Sequence, residues 1–159
     1  MFLKKFSVGL FAIFSVGIAL YAFIFYGILS PAGKMELGAR VDPSIREAFQ
    51  SENPSIYLHA LFSGIALLIA PFQIIPYFRG KSLKAHRWAG RIYFFSAMIG
   101  SVTGLIVATK ASGGIAAQIG FGILAVLWFT TTLTGLIAIL LKRLEIHRRA
   151  MFYSCSLCF

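Results

Sequence analysis

Long apolar runs, separated by short segments rich in glycine, proline and charged residues, dominate this chain. Four runs reach the roughly 20 residues that a helix needs to cross the hydrocarbon core of a bilayer. They cover about 6–29, 56–78, 84–109 and 116–141. The pattern therefore predicts an all-α integral membrane protein, a helical bundle with four full transmembrane helices in a single domain over 1–159.

A fifth apolar run begins at Ala150 and reaches Phe159, the last residue of the sequence. Such a run is too short to cross a bilayer, so we expect either a segment at the membrane interface or an incomplete fifth span. A loop at about 31–55 separates the first two spans. Within it, Asp42 followed by Pro43 is typical of a helix start and predicts a short surface helix over about 43–50.

The composition agrees with a membrane protein, because 58% of the residues are hydrophobic and only 13% are charged. The formal net charge of +10 could suggest a nucleic-acid partner. That function needs lysines and arginines gathered on one exposed face. Here they fall in the loops between the apolar runs, so we predict that the partner is the lipid bilayer and that there is no nucleic-acid partner.

The lysines and arginines also predict the orientation of the chain. One side of the membrane would carry Lys4, Lys5, Arg79, Lys81, Lys84, Arg87, Arg91, Lys142, Arg143, Arg148 and Arg149. The other side would carry only Lys34, Arg40, Arg46 and Lys110. Basic loops face the cytoplasm, so we predict that the N-terminus of the chain is cytoplasmic.

One phrase occurs twice, as "LKAHRWAGR" at 83–91 and "LEIHRRAMF" at 144–152. Both copies read Leu-x-x-His-Arg-x-Ala, and a tyrosine follows each histidine by six or seven residues, Tyr93 and Tyr153. Each copy stands where a span enters the membrane from the basic side. This indicates a possible parallel repeat in which spans two and three are related to spans four and five.

The repeated phrase also supplies the candidate binding residues, which are His86, His147, Arg87, Arg91 and Arg148. Two imidazoles beside guanidinium groups could hold haem b through its iron and propionates, a quinone, or a lipid phosphate. The alternative is that these residues bind no specific ligand, since basic side chains at the cytoplasmic ends of spans commonly extend toward the lipid headgroups. The residues alone leave electron transfer, a lipid-binding or scaffold role, and a purely structural role open.

Two further polar residues lie inside the second span, His59 and Gln73. His59 is nineteen residues from Phe78, about 28 Å along a helix, so it cannot share a ligand with the other histidines. An ionisable group within a span suggests a function, and the alternative is a histidine bonded to a neighbouring backbone carbonyl. Gln73 can supply a hydrogen bond within the bundle.

The third span carries a stripe of small residues spaced by four, which includes Gly100 and Gly104. Such a stripe lets helices approach closely, either within the chain or between copies in a homo-oligomer. All five acidic residues fall in loops, and no catalytic set is evident. We therefore predict a non-enzymatic protein of uncharacterised role.

From "LHALFSGIALLIAPFQ" onward, the chain resembles the bacterial multi-pass membrane family known as domain of unknown function 2306. The resemblance rests on that stretch, on "HRWAGRIY", on "SGGIAAQIGFGILAVLWFTTT" and on "HRRAM", in this order. The matching positions are His59, His86, Arg87, Gly90, Arg91, Trp128, His147, Arg148 and Met151. The chain departs from the family pattern at Ala150, where tryptophan is usual. The resemblance implies a helical membrane fold and a location in a bacterial inner membrane, without an established activity.

Overall fold

A computed structural model describes residues 2–28, 54–75, 80, 82–111 and 113–159. The helices are α1 (Phe2–Phe23), which continues into a π-helical segment (Ile24–Ile28), α2 (Pro54–Ile74), α3 (Leu83–Ala108), α4 (Gly114–Leu140) and α5 (Leu144–Ser156). No strand occurs in these ranges. The predicted surface helix over 43–50 lies outside the described residues.

Four of the helices are long and apolar enough to cross a membrane, which confirms the predicted all-α membrane fold. Their candidate spans are Gly9–Tyr26, Pro54–Ile74, Leu83–Ala108 and Gly114–Leu140. The fifth apolar run belongs to α5, which begins at Leu144 and buries Ser154 and Cys155 completely. One face of α5 therefore packs into the bundle through Ala150, Ser154 and Cys155, while most of its other side chains are exposed.

The helices form a bundle in which neighbours along the chain pack against each other. α2 contacts α1 and α3, α4 contacts α3 and α5, and α5 also touches α2. The core contains mainly small side chains around two large aromatic ones: Ala66, Ala70, Tyr93, Ala97, Trp128 and Cys155. We call the end that holds the starts of α3 and α5 the basic end, and the end that holds the start of α2 the far end.

Two short turns connect the last three helices. Gly113 and Gly114 link α3 to α4 with φ angles of 109° and 73°, which favour glycine. At the basic end, Lys142 takes the left-handed conformation with φ 58°. The N–H groups of Lys142 and Arg143 then donate to the carbonyls of Ile139 and Ala138, at 3.1 and 2.8 Å. This Schellman arrangement satisfies the end of α4 and turns the chain directly into α5.

The glycine stripe of α3 makes its close contacts within the chain. A Cβ atom added to Gly100 would lie 2.9 Å from Ser63 Oγ of α2 and 2.9 Å from the Trp128 ring of α4. A Cβ atom added to Gly104 would lie 2.9 Å from the His59 ring. A second copy could use this face only by displacing these side chains, and the homo-oligomer through Gly100 and Gly104 stays a prediction.

We expect Gly100→Ala to lower the free energy of unfolding by about 1–3 kcal/mol, because the new methyl group overpacks the contact with Trp128. Gly120→Ala is the matched control, since a Cβ atom there meets no atom within 4 Å. The control should be neutral or slightly stabilising, because alanine has the higher helix propensity. Unfolding of both variants in detergent, followed by circular dichroism, checks the difference. Equal stability of the two would contradict the close contact.

Candidate functional site

The two copies of the repeated phrase occupy equivalent places at the basic end. His86 and His147 are each the fourth residue of their helix. Their backbone N–H groups donate to the carbonyls of Ser82 and Arg143, both at 3.0 Å. Ser82 also caps α3, because its Oγ accepts a hydrogen bond from the Ala85 N–H at 3.2 Å. Both histidines are half-buried and therefore stand at the rim of the bundle.

His147 is oriented by the backbone of α4. Its Nδ1 lies 2.8 Å from the carbonyl oxygen of Gly135. Because a carbonyl only accepts, Nδ1 must carry the proton and Nε2 is left with its lone pair in the neutral ring. Because Gly135 has no Cβ atom, α5 can pack close to α4 at this point. An added Cβ atom would lie 2.7 Å from the Sδ atom of Met151, which is one turn after His147 in α5.

Gln73 connects α2 to the first turns of α3. Its Nε2 donates to the backbone carbonyl of His86 at 3.3 Å. Its Oε1 would lie 3.3 Å from a Cβ atom on Gly90, so the glycine makes room for the amide. The hydrogen bond predicted for Gln73 within the bundle is therefore present, and it holds the backbone that carries His86.

The arginines of the phrase lie on the exposed surface. The Arg91 guanidinium stacks over Trp88 at 4.8 Å from the ring centroid. Arg149 forms an ion pair with Glu145, which is the only acidic side chain in the described part of the chain. Arg87, Arg91 and Arg148 have no carboxylate partner within that part. All three are exposed at the same end of the bundle as the two histidines.

A chain of three hydroxyl groups joins α3, α4 and α5 inside the core. Tyr93 Oη lies 2.8 Å from Ser154 Oγ, and Ser154 Oγ lies 2.7 Å from Thr132 Oγ1. Thr132 donates to the Trp128 carbonyl at 2.7 Å, which fixes the direction of the chain. With that proton in use, Thr132 must accept from Ser154, and Ser154 must accept from Tyr93. All three side chains are fully buried.

Sequence reasoning missed the partner of Tyr93. The repeated phrase pairs Tyr93 with Tyr153 as equivalent positions. In the structure Tyr153 is exposed, and its neighbour Ser154 makes the contact with Tyr93. Tyr93 and Ser154 are 61 residues apart, which is the offset between His86 and His147. Keeping that offset strictly would have identified Ser154. The threonines at 130, 131, 132 and 134 do bond their own helix, as the sequence allows.

His59 lies near the far end and is not brought together with the other histidines. Its Nδ1 lies 2.8 Å from the Gly100 carbonyl of α3, so this ring too donates from Nδ1. Ser63 Oγ stands 3.5 Å from the same nitrogen. Among the described residues, no group of three or more His, Cys, Asp and Glu side chains could hold a metal ion.

The hydroxyl chain predicts a non-additive pair of mutations. We expect Ser154→Ala to cost about 1–3 kcal/mol of unfolding free energy, because the buried Tyr93 hydroxyl loses its oxygen acceptor and is left with the Cys158 sulfur at 3.9 Å, a weak acceptor. Tyr93→Phe in the same background should then cost much less than it does alone. Ser156→Ala is the control, since that exposed hydroxyl bonds only the Phe152 carbonyl. Additive costs in a detergent unfolding cycle would contradict the predicted chain.

Comparison with known proteins supports the membrane fold. Residues 56–159 match the family described as a predicted membrane protein, DUF2306. Neither the curated proteins nor the solved structures give a match. The matched range covers α2 to α5, with all three histidines and the hydroxyl chain. The chain therefore belongs to the membrane protein family known as domain of unknown function 2306.

Proposed function

We propose that this membrane protein binds haem b at its basic end, where His86 and His147 would hold the iron, and that it transfers electrons without being an enzyme. The carrying observation is the contact between Tyr93 and Ser154. Each of these residues follows a histidine by seven positions. Seven residues make almost two turns, returning to within about 20° of the same helix face and advancing about 10 Å. The two histidines thus lie on the helix faces that meet at Tyr93 and Ser154.

The donor set suits this cofactor. A histidine that binds a metal commonly donates its other ring N–H to a carbonyl, as His147 does to Gly135. The nearby guanidinium groups of Arg87, Arg91 and Arg148 suit haem propionates, because arginine pairs strongly with carboxylates. A bound b-type haem would supply one-electron redox chemistry. The protein would supply the two ligands, their orientation and the countercharge.

We further propose that the basic end faces the cytoplasm in a bacterial inner membrane. Short loops rich in lysine and arginine favour this side. Trp88 is 56% exposed at the same end, and a tryptophan with a stacked arginine suits the headgroup region.

The haem proposal predicts a b-type band in a reduced-minus-oxidised visible spectrum of the detergent-purified protein supplied with haem. His86→Gln and His147→Gln should each abolish the six-coordinate spectrum, because one axial ligand is lost. His59→Gln is the matched control and should keep it, since His59 lies near the far end. Size-exclusion profiles and circular dichroism show whether each variant is folded. A wild-type protein without a haem band, or a folded His86→Gln variant that retains one, would overturn the proposal.

A second function rests on the exposed arginines that have no carboxylate partner among the described residues. Arg87, Arg91 and Arg148 would bind the phosphate of an anionic lipid headgroup, and the protein would act as a lipid-binding or scaffold subunit. Arginine suits phosphate through paired hydrogen bonds. This function needs no histidine, so it is separable from haem binding.

The lipid proposal predicts that the triple variant Arg87→Gln, Arg91→Gln, Arg148→Gln loses its preference for anionic lipid. At about 1 kcal/mol per basic residue near a membrane surface, the affinity should fall roughly 100-fold. Native mass spectrometry with phosphatidylglycerol against phosphatidylcholine measures the preference. Lys110→Gln is the control at the far end, and it should leave the preference unchanged, as should His86→Gln. An unchanged triple variant would rule this function out.

A further inference from the structure

A cavity of about 390 Å³ lies near the far end, among α2, α3 and α4. Its volume falls in the range of small-molecule sites, which are mostly apolar with a few placed polar groups. His59 and Ser63 supply polar atoms, and Phe121, Trp128 and Phe159 supply aromatic walls. This site is distinct from the histidine pair at the basic end.

The hydrogen-bonding capacity of these walls is partly unused. The Nδ1–H group of His59 donates to the Gly100 carbonyl, so Nε2 of the neutral ring remains an acceptor. The Ser63 hydroxyl can donate or accept. Trp128 is 4% exposed, and its buried Nε1–H has no hydrogen-bond partner among the described residues. That nitrogen is enclosed by protein, so the polar groups that the cavity offers a ligand are His59 and Ser63.

The charge of the lining selects the ligand class. Among the described residues, no arginine, lysine or acidic residue lines the cavity, so none of these residues would compensate a charged ligand in a low-dielectric site. A neutral aromatic ring with oxygen substituents matches the aromatic walls and the polar groups of His59 and Ser63 together. A hydroxyl group on that ring would find an acceptor in His59 Nε2. The cavity therefore favours a ring whose oxygen atoms are carbonyls in the oxidised state and hydroxyls in the reduced state.

We propose that this cavity binds the ring of a membrane quinone or its hydroquinone. The Ser63 hydroxyl would donate to a ring oxygen, and His59 Nε2 would accept from a hydroquinone hydroxyl. The proposal concerns binding alone, and it does not depend on haem at the basic end.

Tryptophan fluorescence with decylubiquinone as the probe tests the proposal. In a Trp88→Phe background, Trp128 is the only tryptophan, and its emission should be quenched with a saturable dependence on quinone. Ala111→Phe places a large ring in the cavity lining and should raise the Kd at least about tenfold. Ala116→Leu is the control, because Ala116 is exposed on α4 and does not line the cavity.

Ser63→Ala gives a second variant that keeps the shape of the site. It should raise the Kd by about three- to tenfold, the usual effect of losing one hydrogen bond. Two results would overturn the proposal: quenching that never saturates, and quenching that is equal in the parent, Ala111→Phe and Ser63→Ala proteins. Either result would mean that the quinone only partitions into detergent. The haem spectrum of the same variants is measured as well. Because that spectrum reports on the basic end, it distinguishes failure of the quinone proposal from failure of the haem proposal.

Discussion

The hydrogen-bond chain from Tyr93 through Ser154 to Thr132 is the interaction on which the arrangement of the last three helices depends. Inside a bilayer no bulk water replaces a lost partner, so each buried hydroxyl must find its partner within the bundle. The Trp128 carbonyl ends the chain and fixes its direction. This contact sets which faces of α3 and α5 meet, and the two histidines follow two turns away.

Glycine backbones provide the second constraint. Lipid tails are as apolar as the helix surfaces, so close packing and interhelical hydrogen bonds must hold the helices together. His59 reaches the carbonyl of Gly100, and His147 reaches the carbonyl of Gly135. In both contacts the absence of a Cβ atom lets the neighbouring helix come close. Both imidazoles are thereby fixed in the same tautomer, with Nε2 left free for other chemistry.

The sequence carries the fold more clearly than it carries the site. Length and continuous apolarity decide that a helix can span, and the repeated phrase puts His86 and His147 at one end. Ser154 is not identifiable from apolarity, because a serine in an apolar helix can simply bond its own backbone, as Ser156 does; only the 61-residue offset of the repeated phrase points to it. Thr132 differs from Thr130, Thr131 and Thr134 only in facing α5. Such contacts depend on the rotation of each helix, which hydrophobicity alone does not determine in a chain that is apolar all round.

The two ends of the bundle differ in the electrostatics they offer a ligand. At the basic end, guanidinium groups outnumber the single described carboxylate, and an anionic ligand gains both charge pairing and hydrogen bonds. At the far end, the described residues that line the cavity offer only neutral donors and acceptors. Trp128 lies between the two regions, because its carbonyl closes the hydroxyl chain while its ring lines the cavity. A change of side chain at Trp128 therefore alters the wall of one site and the packing that supports the other, whereas Arg87 and Ser63 each act on one site alone.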